Sequence, residues 1–331
     1  MKKSLLFFLG MTLILTACGG AVEAAPKRTA TVTAPPTPAG TASPSGTMTL
    51  TPTATITPTF TISPTATPTW VAQGPDEVVV PILLYHRIAI SPIDSQYYVP
   101  PDKFEEQMKL LHDWEYTVIP IELLVKAIKE GAELPPRPVI ITFDDGDISV
   151  YQTAFPIMQK YGLTGVVYIV GNYMNTDGYM SAEQIKELAA SGWEVGSHSM
   201  SHRDLRKLDL EAQKFEIVDS RELLQKETGA SVDTFAYPFG FMGSSGGEFV
   251  HVAGYTAAMG LGFTSDQGKS NLFWLQRRDV QGAYDIKRFA LFLPWQGDPA
   301  YIPTDTPTPT PTASHTPIPT YTLYPTSTSQ P

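Results

Sequence analysis

Val139-Ile140-Ile141-Thr142-Phe143 is an apolar run without alternation that stops abruptly in Asp144-Asp145-Gly146. A strand of this kind is covered on both faces, which points to a parallel sheet packed between helices or rolled into a barrel. The carboxyl ends of such strands are where α/β folds build their sites. Two adjacent acids in a cleft repel and lose hydration, so a cation or a shared proton belongs beside them. Taken alone, Asp-Asp-Gly fits an ordinary surface turn equally well.

The surrounding sequence repeats this unit. Val78–Tyr85, Val139–Phe143, Gly165–Val170, Trp193–Gly196 and Thr234–Tyr237 are predicted strands. Between them Asp102 could cap a helix through Trp114, Ser149 one through Tyr161, and Ser181 one through Ala190, with Gly192 after its end. The longest predicted helix runs from Asp209 to Thr228, presents Phe215, Ile217, Val218, Leu223 and Leu224 on its apolar face, and is stopped by Gly229. Alternating strands and helices imply a mainly parallel sheet, open or closed into a barrel.

Only the middle of the chain has the composition of a globular domain. Residues 76–300 hold 31 acidic and 19 basic side chains, a net charge of −12. With no block of Lys or Arg, nucleic acid is excluded as a partner, and a neutral or cationic polymer is easier to accommodate. Both flanks are rich in Thr and Pro. Residues 23–74, with steps such as Thr51-Pro52 and Thr57-Pro58, predict an extended stalk. Residues 303–331 repeat that composition as a disordered tail. The N-terminus has Lys2 and Lys3, an apolar run from Leu5 to Leu15, and Thr16-Ala17 before the single cysteine, Cys18. That order resembles a bacterial lipoprotein signal whose Cys18 is lipidated, or an ordinary signal peptide with an incidental cysteine. The expected organisation is a signal peptide at 1–17, a stalk at 18–75, a folded domain at 76–300 and a tail at 301–331, in a monomer anchored to the outer face of the cell membrane.

A second constellation follows the strand at Trp193–Gly196: His198-Ser199-Met200-Ser201-His202. Two imidazoles four residues apart converge if the segment makes a helical turn. Together with Asp145 they would form a carboxylate and two-histidine metal set with positions open to water and substrate.

Thr142-Phe143-Asp144-Asp145-Gly146 and His198-Ser199-Met200-Ser201-His202 resemble the first two motifs of the polysaccharide deacetylase family, carbohydrate esterase family 4. The resemblance spans most of residues 78–293. It implies a distorted (β/α) barrel and a divalent metal, commonly zinc (Zn2+), with Co2+, Ni2+ or Mn2+ as alternatives. It also implies Asp144 as catalytic base and Asp145, His198 and His202 as ligands. Phe235-Ala236-Tyr237-Pro238-Phe239-Gly240 falls where the third motif would be, but Ala236 stands where that motif often has arginine. By the resemblance Tyr237 supplies a backbone N–H to the oxyanion, while Pro238, Phe239 and Trp274 are candidate groove walls. Arg278, beside Arg277, is either a replacement partner for Asp144 or half of a solvated pair. The family's last motif, Leu-x-His, has no match after Tyr237. Leu84-Tyr85-His86 resembles it moved to the front, as in circularly permuted members, making His86 the candidate general acid. The function implied is hydrolysis of N-acetyl groups on an extracellular aminosugar polysaccharide. An O-acetyl polysaccharide esterase and a catalytically impaired carbohydrate-binding protein are the alternatives.

Overall fold

The computed structural model describes residues 69–243 and 246–297. Cys18, the signal peptide, nearly all of the expected stalk and the tail lie outside the described residues. Among the described residues no helix is long and apolar enough to cross a membrane.

The centre is a parallel sheet of eight strands: β1 (Ile82–Tyr85), β2 (Thr117–Val118), β3 (Pro138–Phe143), β4 (Val166–Ile169), β5 (Glu194–Ser197), β6 (Thr234–Ala236), β7 (Ala257–Met259) and β8 (Arg278–Asp279). Its order is β7-β6-β5-β4-β3-β1-β8, with β2 also paired to β3. Chain neighbours from β3 to β7 are sheet neighbours, as right-handed crossovers through helices require. The sheet curls until its edges are joined by one segment. Leu275 bridges Met259 on β7, while Arg278 and Asp279 pair with Leu83 and Leu84 on β1. Residues 275–279 thus close the cylinder, and the (β/α) barrel expected from sequence is observed.

Alternation along the strands separates two cores. Leu83, Tyr85, Ile141, Phe143, Val167, Ile169 and Phe235 join the layer beneath the helices, whereas Ile82, Ile140, Val166, Tyr168, Ala236 and Met259 fill the barrel. Each fully buried aliphatic side chain stabilises the fold by about 1.5–3 kcal/mol. The barrel cluster also takes in Ile121, Leu124 and Ile128 of α1 (Ile121–Glu130), which plugs the end where the strands begin. That helix was not anticipated.

Other elements follow the sequence with instructive departures. Pro81 splits the expected strand from residue 78 to 85, so that Glu77–Val79 pairs instead with Asp266–Gly268. Val71–Gln73, expected in the stalk, pairs antiparallel with Ala132–Leu134. The helix α2 (Ala182–Ala190) starts at the expected cap Ser181, which Gln184 completes into a capping box. The long predicted helix is α3 (Leu210–Lys214) and α4 (Ser220–Thr228) joined by a π-turn over Phe215–Asp219, and Gly229 ends it at φ 68°. The extra residue in that turn shifts the phase. Phe215 is turned out to solvent and Glu216 goes inside, the reverse of the expected face.

Candidate active site and metal centre

β3 positions the acids. After Phe143 the Asp144 N–H donates to the Tyr85 carbonyl at 2.9 Å, which prolongs the pairing with β1 by one residue. Asp144 therefore continues the inward row of Ile140 and Thr142, and it is 2% exposed. The chain then turns through positive φ at Asp145 (72°) and Gly146 (81°).

β5 leads into the histidine segment, which is a bend and not the helical turn expected. Ser199 and His202 have φ of 69° and 56°, an unfavourable conformation for side-chain-bearing residues that persists only when neighbours enforce it. Here they do. The His198 N–H donates to Ile169 O (2.8 Å), Ser199 Oγ accepts from the His202 N–H (2.9 Å), and the Met200 N–H reaches Glu216 O (3.1 Å). The buried Glu216 carboxylate accepts from both the N–H and the hydroxyl of Ser201.

His198 Nδ1 lies 2.8 Å from the Ala236 carbonyl, which can only accept, so the Nε2 lone pair faces the acids. It lies 3.6 Å from Asp144 Oδ2 and 3.7 Å from Asp145 Oδ1, and His202 Nε2 lies 3.6 Å from the same Asp145 oxygen. One ligand atom from each of Asp145, His198 and His202 falls within 4.8 Å of the others. Ligands ~2.0–2.1 Å from a common tetrahedral ion are roughly 3.4 Å apart, so this donor set fits a divalent metal with little movement. Burial first, and then the charge of His198, hold the His202 imidazole below its ordinary value, in the neutral form that ligates. The second oxygen of Asp145 faces Arg87 at 3.4 Å, whose Nε donates to Asp147 at 3.0 Å.

The partner of Asp144 is Arg277, not Arg278. Arg277 Nη1 and Nη2 donate to Asp144 Oδ1 and Oδ2 at 2.7 Å each, and its Nε donates to Gly260 O at 3.1 Å. Adjacent residues of a strand face opposite sides, so Arg277 enters the barrel and Arg278 turns away, with its guanidinium over the Phe292 ring at 5.5 Å. Burial alone would raise the Asp144 carboxyl. The charge of Arg277 outweighs it, with help from His198 and His86, and brings the group down to about 2.

These groups line a cleft of about 440 Å³ with His86, Arg87, Tyr97, Phe239, Phe241, Leu261 and Asp279. His86 packs its ring on Tyr97 (4.7 Å), and its buried Nδ1 has no partner among the described residues. Phe239 meets the His202 ring edge-on at 4.7 Å. Three expectations fail here. The Tyr237 N–H donates to Met259 O at 3.1 Å and is not free for an oxyanion, because β7 pairs alongside. The next N–H, that of Phe239, has no partner among the described residues. Trp274 stacks on Tyr237 (5.7 Å) and occupies the space beside Gly260, where an added Cβ would lie 2.5 Å from the indole. Pro238 is buried, and neither it nor Trp274 lines the cleft. Arg87, Arg277 and Asp279 were missed. Of these only Arg277 carried a signal, as the neighbour of Arg278.

Comparisons with known proteins bear on the family and the fold. The family model for polysaccharide deacetylase matches residues 131–258. YxkH of Bacillus subtilis (strain 168), named as a polysaccharide deacetylase, is 32% identical over 212 residues, 63% of this chain and 70% of that protein. A poly-β-1,6-N-acetyl-D-glucosamine N-deacetylase of Staphylococcus aureus (strain MRSA252) is 28% identical over 199 residues, covering 55% of this chain and 68% of its own. Among solved structures, the Streptococcus pyogenes deacetylase PplD in complex with acetate superposes with a TM-score of 0.59 at 25% identity, covering 65% of this chain and 98% of that one. The chain belongs to the polysaccharide deacetylase family, hydrolases of carbon–nitrogen bonds.

Proposed function

We propose that the chain removes N-acetyl groups from an extracellular aminosugar polysaccharide such as peptidoglycan, poly-N-acetylglucosamine or a chitin-like chain. The carrying observation is the buried Asp144, held ionised by Arg277 within 3.6 Å of an imidazole of the three-ligand set. Asp145, His198 and His202 would hold a divalent ion, zinc being the best match to two imidazoles and a carboxylate. Such an ion supplies Lewis acidity and a water of lowered pKa. Asp144, paired with Arg277 beside that ligand set, is the chain's own group to take the proton of an attacking water. The Phe239 N–H, in place of that of Tyr237, is the chain's own donor for the developing oxyanion. His86 donates to the leaving amine, which an amide requires far more than an ester. Its position just past the end of the first strand of the sheet, in the same cleft as Asp144, supports a circularly permuted motif order. The likeness to a poly-β-1,6-N-acetyl-D-glucosamine N-deacetylase and the Lys2–Cys18 leader support a lipoprotein at the outer face of the membrane.

The test is acetate release from N-acetylglucosamine oligomers and from acetylated xylan, before and after chelation, with metal analysis of the same sample. Release from the oligomers that chelation abolishes and zinc restores is expected. Release from xylan alone would mark an esterase. Polymer binding without acetate, even with added zinc, would mark an impaired binding protein.

A further inference from the structure

The cleft does not end at the ligand set. On one side it runs into a cavity of about 560 Å³ that shares His202, Phe239 and Phe241 with it. On the other it opens into one of about 290 Å³ that shares Leu261, Arg277 and Asp279. The three form one groove with the catalytic groups at its middle, and both ends are lined by cations.

At the first end stand Arg203, Arg206 and Lys207 against a single carboxylate, Asp204. Asp204 accepts two hydrogen bonds from Arg206 (2.9 and 2.8 Å) and lies 3.4 Å from Lys207. Arg203, next in sequence to His202, is exposed and has no ion-pair partner among the described residues. At the second end stand Arg278 and Arg288, neither of which pairs with a carboxylate among the described residues. Both lie against the Phe292 ring, at 5.5 and 5.8 Å. The Nε of Arg278 is buried without a hydrogen-bond partner. Burial holds that guanidinium below its ordinary value; Asp266 opposes the shift and Arg288 adds to it. Asp279, the acid at this end, accepts from Gln281 at 3.0 Å. In a domain of net charge −12, unspent arginines at both ends of one groove run against the surroundings.

We propose that the groove binds an anionic aminosugar polymer, one carrying carboxylate or phosphate groups on sugars to either side of the N-acetylated unit. This rests on reading the central cleft as the deacetylation site. Arginine suits the task because its planar fork meets a carboxylate or phosphate through paired hydrogen bonds. The exposed ring of Phe239 sits between the central cleft and the first basic end and offers a face for a sugar, while the ring of Phe241 beside it carries the Arg206 guanidinium at 3.7 Å.

The full-length, zinc-loaded protein is assayed on three oligomers of equal length. One is neutral N-acetylglucosamine, one carries lactyl carboxylates on alternate units, and one carries phosphate monoesters there. At low salt, kcat/KM is expected to be at least ~10-fold higher on an acidic oligomer, and the advantage should shrink towards parity at high salt as the charges are screened. Which acidic oligomer gains more identifies the anion. Arg203→Gln and Arg288→Gln, both at exposed positions where folding is not at stake, should each cut the acidic-to-neutral ratio ~3-fold through KM. Equal turnover of neutral and acidic oligomers, or equal losses on both in the variants, overturns the proposal. If no glycan yields acetate, the deacetylase reading itself fails, and calorimetry then decides. Tighter binding of an acidic than of the neutral oligomer upholds the anionic groove, and equal or absent binding rejects it.

Discussion

Two carboxylates at opposite ends of the same sheet, one buried and one half-buried, are driven in opposite directions. Asp144, past the end of β3, is lowered to about 2, whereas Glu194, at the start of β5, is raised to about 7. Burial pushes both upward and is the largest influence on each. Asp144 meets that push with the two-pronged grip of Arg277. Glu194 has only the Ile121 N–H (2.8 Å), with Glu122 and Asp233 adding to the upward push. A buried acid is thus a base or a proton store according to whether a cation was brought to it, and here a closing strand brings one.

The sharpest way to break this contrast is to remove the low-pKa acid. Asp144→Asn should reduce turnover ~10³-fold or more while metal content, measured on the same sample, stays unchanged. Normal rates would falsify its role as base. Arg277→Met should erase the difference between the two acids. It leaves Asp144 buried and unpaired, and should cost about 3–5 kcal/mol of stability in urea unfolding. The Asp144 carboxyl should then titrate far above 2; a value still near 2 would show that the histidines, not Arg277, set it. His86→Ala tests whether the second proton carrier of the cleft matters as proposed. A loss of ~10² on amide substrates is expected, with less on activated esters, and equal losses on both would remove His86 as the acid.

The smallest effect lies at the other end. The folded value of Glu194 is raised, so the native state holds an extra proton between about pH 4 and 7, and stability falls as pH rises through that window. Glu194→Gln keeps an acceptor for the Ile121 N–H and removes the charge. It should stabilise the domain by about 2 kcal/mol at pH 8 and leave it unchanged at pH 4; no gain at pH 8 would mean that Glu194 is solvated. Asp144 has the opposite sign. Its depressed value contributes stability above about pH 4 that is lost as pH falls towards 2.

The residues that were legible are those whose chemistry and local pattern coincide. An unalternating apolar run ending in Asp144-Asp145 fixes a parallel strand and a site together, and Ser181 marks a helix start. What was hidden depends on distant chain. Arg277 could not be told from Arg278, because β8 is a two-residue strand whose facing is set by β1 and β7. The Tyr237 N–H reads as free until the unforeseen β7 pairs beside it. The Phe215 and Glu216 exchange needs a π-turn that helical periodicity does not encode. The His198–His202 bend is enforced by Glu216, fourteen residues beyond His202.

Residues 275–279 carry a double duty. They are the last piece of the sheet to emerge from the ribosome, and they bring the guanidinium that keeps Asp144 charged. Closing the cylinder and supplying the charge that Asp144 faces are therefore one event, and a change that loosens the seam would disturb fold and acid together.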